Sequence, residues 1–132
     1  MSVKIKGMEK LLKELENRFG KQQIQRISDE GLKRGAAVFV EELKAEFQSF
    51  KDTGASIEEI TISEPYWAAS GERTIKVHWR GPKGRYRIIH LNEWGTIKNP
   101  NPPGKGAITR ALKNAEKAYR DAIKRAVMEG IR

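Results

Sequence analysis

The hydrophobic period of this chain changes twice, and those changes constrain what it can fold into. Met8, Leu11, Leu12, Leu15 and Phe19 are spaced three or four residues apart, as on one face of a helix, and Gly20 ends the run. The same spacing resumes at Ile24, Ile27, Gly31, Gly35, Val38 and Phe39, with Leu32 and Leu43 at the flank, and predicts a helix over about residues 22–47. In the middle, Thr74-Ile75-Lys76-Val77-His78-Trp79-Arg80 alternates strictly: Ile75, Val77 and Trp79 on one face, Lys76, His78 and Arg80 on the other. That is the period of a strand. Helical spacing returns at Ile108, Ala111, Leu112, Ala115, Tyr119, Ala122, Ile123 and Ala126, predicting a last helix over 107–128. Elements that are apolar on one side must cover one another, so the expected class is α+β.

Turn residues divide these elements. Asp52-Thr53-Gly54 reads as a turn, after which Ile57, Ile60 and Ile62 are expected to begin β structure. The Gly81-Pro82-Lys83-Gly84 run is expected to join strand 74–80 to a further strand over 85–94, as a hairpin. Ile88, Ile89 and Leu91 make that further strand apolar on both faces, which suggests a central position or cover from helices. Residues 96–106 hold three prolines, two asparagines and two glycines, and predict an exposed, mobile loop. The expected architecture has two N-terminal helices, a small antiparallel sheet of about three to four strands, and a C-terminal helix packed on it. It is read as a single domain over 1–132. Gly31 and Gly35, one turn apart, mark a close approach, expected first as a crossing within the subunit and second as a contact with a neighbouring one.

The net charge of +9 is lopsided. Residues 1–66 hold 11 Lys/Arg against 12 Asp/Glu, a net of −1, and residues 67–132 hold 15 against 5, a net of +10. Arg110, Lys113, Lys117, Arg120 and Lys124 recur every three or four residues and predict a basic ridge on the last helix. Such a ridge suits nucleic acid, an acidic protein surface, or simply solvent. The absence of cysteine removes disulfides, Cys-ligated zinc and thiol catalysis, and suits a reducing compartment. The opening Met1-Ser2-Val3-Lys4-Ile5-Lys6 predicts no signal peptide, and no stretch reaches the roughly 18 apolar residues of a membrane span. The reading is a soluble intracellular protein without membrane contact.

Candidate chemistry is sparse. Neither His78 nor His90 has a metal-ligand neighbour at helical spacing, and His90 is expected to be a half-buried structural residue. Glu93 has no second carboxylate nearby, since Asp and Glu are absent from 94 to 115, so paired-carboxylate catalysis has no local support. Glu93 is read instead as the partner of Arg85 or Arg87, or of an adjacent subunit. There is no phosphate-loop motif, and Ser70-Gly71 lacks the context of a nucleophile elbow. The expectation is no enzyme, no catalytic residue, no metal and no cofactor.

The order Glu93-Trp94-Gly95-Thr96, a Pro/Gly loop, then Ala111-Leu112 at the start of a helix resembles a family signature. It is the Glu-aromatic-Gly-Thr … Ala-Leu pattern of the small neck proteins of long-tailed bacteriophages, the tail-completion or head–tail joining proteins. Val3-Lys4-Ile5-Lys6-Gly7 followed by Met8, Leu11, Leu12 and Leu15 is similar to the family's opening, and Thr53-Gly54 before Ile57 is similar to its Thr-Gly turn. The colinear match runs from about Val3 through Leu112 into the last helix. It departs where Gly106-Ala107-Ile108 replaces a Pro-Phe, and where Ala55-Ser56 replaces a Leu.

The resemblance implies a structural virion protein of a phage or prophage, made in the host bacterial cytoplasm and assembled as a ring, six-fold in the family, at the neck. Its partners would be other neck and tail proteins and further copies of itself, with non-specific DNA contact as a possibility. The residues expected to meet partners are Thr53, Gly54, Glu93, Gly95, Thr96, Lys98, Asn99, Asn101 and Lys105, together with Arg110, Lys113, Lys117, Arg120 and Lys124 of the ridge. The rival reading is a basic nucleic-acid-binding domain like those that bind double-stranded RNA, which share a helix–three strands–helix order. Trp67, Trp79 and Trp94 would supply its stacking surfaces, although Trp79 is expected in the core. A small basic ribonuclease toxin lacks a visible catalytic constellation.

Overall fold

The computed structural model describes residues 3–6, 20–49 and 54–130. The elements in order are β1 (Val3–Lys6), α1 (Lys21–Gln48), α2 (Ala55–Glu58), β2 (Ile60–Ile62), β3 (Tyr66–Trp67), β4 (Arg73–Trp79), a 3-10 turn (Arg85–Arg87), α3 (Ile89–Trp94) and α4 (Ala107–Gly130). The helix expected over residues 8–19, and with it the pair of N-terminal helices, lies outside the described residues. The class is α+β, with a four-stranded antiparallel sheet and a C-terminal helix.

β4 organises the sheet because it alternates cleanly and is the longest strand. β1 runs along one edge, with Val3 opposite Val77 and Lys6 opposite Thr74. β2 and β3 share the other edge in succession, with Ile60 opposite Trp79 and Tyr66 opposite Thr74. Ile75, Val77 and Trp79 are buried, while Lys76 and His78 on the opposite face are half-exposed. The buried face meets Leu32, Ala36, Phe39, Leu43 and Phe47 of α1 and Ile108, Ala111 and Ala115 of α4. Phe47 stacks on Trp79, ring centroids 5.8 Å apart, and the Trp79 indole donates to the Ser56 carbonyl at 2.8 Å. Both ends of that indole are thus satisfied, apolar body and polar N–H alike.

The long helices cross through missing side chains. A Cβ on Gly31 or Gly35 would lie 3.3 Å from the side chain of Ile123 on α4. The glycine pair therefore serves a crossing within the subunit, the first of its two readings. Ile24, Ile27, Leu32, Phe39 and Leu43 follow the predicted stripe and are buried. An ion pair fastens the sheet to α1: Arg73 donates from Nε and Nη2 to the two oxygens of Asp29 at 2.8 and 2.9 Å, with the guanidinium 5.1 Å from the Trp67 ring.

Three expectations are corrected. Ile57 sits in α2, so β structure begins only at Ile60; Gly54 adopts φ +80°, and the chain turns helically before it extends. Residues 85–94 are not a strand, and no hairpin follows Gly84. They form the 3-10 turn and α3, because Ile89 and Glu93, four apart, point inward while His90, Leu91 and Trp94 face solvent. Leu91 is 39 % exposed, so the segment is not apolar on two buried faces. The 81–85 turn itself is held by a buried carboxylate: Glu59 accepts from the amides of Lys83 and Arg85 at 2.8 and 2.9 Å.

Candidate functional site

Glu93 is the centre of the most built part of this surface. Its side chain, 3 % exposed, points at the open end of α4. The carboxylate accepts from the Ile108 amide at 2.7 Å, the Thr109 amide at 3.3 Å and the Thr109 hydroxyl at 2.8 Å. A carboxylate placed there satisfies amides that the helix itself cannot pair, and it complements the positive end of the helix dipole. The Glu93 carbonyl also accepts from the Gly106 amide at 2.9 Å. The expected pairing with Arg85 or Arg87 does not occur. Arg85 donates to the Ser56 hydroxyl at 2.7 Å, and Arg87 lies against Tyr86, with Nε 3.0 Å from its hydroxyl.

The loop after Glu93 is folded back on itself. Gly95 takes φ +81°, and a Cβ there would stand 2.5 Å from the Pro100 carbonyl, so two requirements select glycine. Thr96 and Asn99 close the tip: the Thr96 amide donates to the Asn99 carbonyl and the Asn99 amide to the Thr96 hydroxyl, each at 2.9 Å. Lys105 Nζ donates to the Pro100 carbonyl at 2.8 Å and to Asn101 Oδ1 at 3.3 Å. Arg110 reaches back to the Lys105 carbonyl at 2.6 Å and to Glu46 of α1 at 3.3 Å. Pro102 and Gly104 are buried, whereas Ile97, Lys98 and Asn99 are exposed. An expected floppy loop is thus anchored at its base, with one short exposed tip.

Eight of the expected partner residues are thereby gathered into one knot: Glu93, Gly95, Thr96, Lys98, Asn99, Asn101, Lys105 and Arg110. The rest lie elsewhere. Gly54 precedes α2, and Thr53 lies outside the described residues. Lys113, Lys117, Arg120 and Lys124 continue along α4, Lys124 standing about 21 Å beyond Arg110 at 1.5 Å per residue. They line a shallow, open depression of about 500 Å³ together with Glu116 and Asp121. Arg120 is paired to Glu116 at 2.9 Å, so the ridge is of mixed sign rather than purely basic. Lys113, Lys117 and Lys124 are exposed and make no ion pair among the described residues.

His78 is held below the ordinary imidazole pKa, first by burial and then by the charges of Lys76 and Arg80. His90 is exposed on α3, not half-buried in a strand as expected. Among the described residues no group of three or more His, Cys, Asp or Glu is placed to hold a metal ion, and no helix is long and apolar enough to cross a membrane.

The sequence reading missed two kinds of residue. The structural ones are Glu59, Ser56 and the Asp29–Arg73 pair, whose partners lie 23 to 44 positions away. The surface ones are Leu91 and Ile97, exposed by 39 and 102 %; Trp94, named only as a stacking surface for nucleic acid, is 66 % exposed beside them in the chain. An isoleucine inside a Pro/Asn/Gly loop was their available signal. Compared with family models, curated proteins and solved structures, the chain gives no match.

Proposed function

We propose that this chain is a docking protein of a phage or prophage virion, which completes the tail and joins it to the head by ring assembly at the neck. One observation carries the reading. The two halves of the neck-protein resemblance, Glu93-Trp94-Gly95-Thr96 and the helix bearing Ala111-Leu112, are joined by the Glu93 carboxylate and carbonyl into a single unit. A motif whose acid closes a helix end, whose glycine permits a loop reversal and whose threonine ties the loop tip has a structural reason for three of its four residues, and presents the loop tip outward on a rigid base. The work is binding by surface: the virion neck and tail proteins are the partners, and copies of the chain stand beside one another in a ring.

Non-specific contact with the DNA that passes through the neck is a second role, favoured by Lys113, Lys117 and Lys124 on one helix face, which make no ion pair among the described residues. Gold-labelling of a tagged chain in purified particles tests the main reading. Label at the head–tail junction is expected; particles that carry none would contradict it.

A further inference from the structure

Leu91, Trp94 and Ile97 are all solvent-exposed within seven consecutive residues. Leu91 and Trp94, three apart on α3, share one side of that helix. Ile97, 102 % exposed, stands in the tip closed by Thr96 and Asn99. A lone exposed apolar residue is ordinary, but this grouping on a base held by the Glu93 hydrogen bonds is the form of an anchor that is buried on binding.

The free charges around it are cationic: the carboxylates the fold brings close, Glu46 and Glu59, are engaged by Arg110 and by the Lys83 and Arg85 amides. Between residues 73 and 115 Glu93 is the only carboxylate side chain, and it is buried against the start of α4. Arg87, Lys98 and Lys105, each within eight residues of the apolar group along the chain, are exposed cations.

We propose that this knuckle docks into a protein surface that is acidic around an apolar pocket, with Trp94 and Ile97 as the anchors and Arg87, Lys98 and Lys105 as the rim. The inference rests on the docking reading above and supplies the chemistry of the docked partner. Charge complementarity selects that occupant. A symmetric contact with a second copy would set this cationic rim against itself. A nucleic-acid strand would leave Leu91 and Ile97 without a suitable partner, because stacking uses aromatic faces.

The test is nuclear magnetic resonance of the isotopically labelled full chain, titrated with a synthetic peptide alternating Glu with Leu and Phe. An all-Glu peptide of equal charge and a short DNA duplex serve as comparisons. Saturable shifts of the Trp94 indole and the Ile97 methyl groups are expected with the mixed peptide. Ile97→Asp should weaken its binding about tenfold or more, and Met128→Asp, at an exposed site late in α4, should not. Ile97 is outside the core, so both variants should retain the wild-type spectrum elsewhere. Equal binding of the all-Glu peptide, stronger shifts of the same signals by DNA, broadening of them by self-association of the free chain, or no shift at all would each overturn the proposal. Failure of the docking reading would show separately, as virions that lack the protein.

Discussion

Glu93 accepts three hydrogen bonds from residues fifteen and sixteen positions further along, and nothing near it in the sequence announces them. Nearby arginines were the more obvious partners, and the structure gives those to Ser56 and Tyr86 instead. Glu93→Ala would leave two amides and a hydroxyl buried or half-buried without their acceptor. It should cost about 1–3 kcal/mol, with Glu93→Gln losing less because it keeps one acceptor oxygen. Urea denaturation of the two variants decides it, and wild-type stability in Glu93→Ala would remove the carboxylate from the account. His78 makes a second prediction. Its folded pKa is lowered, so the unfolded chain takes up a proton at higher pH than the folded one. Its contribution is complete above about pH 6.5, the ordinary imidazole value, and is lost as pH falls below that toward the folded pKa. His78→Gln should therefore flatten the loss of stability on the acid side of 6.5, as measured by urea midpoints over a pH series. An unchanged slope would contradict it.

At the scale of elements, α1, β4 and α4 were legible because each is long enough to repeat its period several times. Their bounds differ from the expected ones by one or two residues at most ends. Residues 85–94 were not, because a three-residue 3-10 turn and a six-residue helix show less than two full periods. A short apolar run of that kind reads equally as strand or helix. The base-anchored loop leads to a prediction about amide hydrogen exchange. The amides of Gly106, Ile108 and Thr109 donate to Glu93 and should exchange slowly, while those of Ile97 and Lys98 at the tip should exchange fast. Uniform fast exchange from 96 to 109 would show that the anchor does not hold. On α4, Lys117→Gln with Lys124→Gln should lower duplex affinity and reduce the log–log salt slope by about 0.9 per lost phosphate contact. A slope unaffected by both changes would leave the ridge to solvent.

For the whole molecule, the long helices and the sheet form a rigid support, locked where Gly31 and Gly35 admit Ile123, and the exposed apolar tip sits at one end of it. A docking protein fails when its surface is lost, whereas an enzyme fails when one proton carrier is lost. His78→Ala and His90→Gln are accordingly expected to support normal assembly provided the chain folds. The most direct measurement of the proposed neck role is electron microscopy of lysates after deletion of the gene. The account predicts DNA-filled heads and separate tails that never join, restored by the wild-type chain and by both histidine variants. Joined, normal particles in the deletion, or a folded His78→Ala chain that behaves like the deletion, would contradict it.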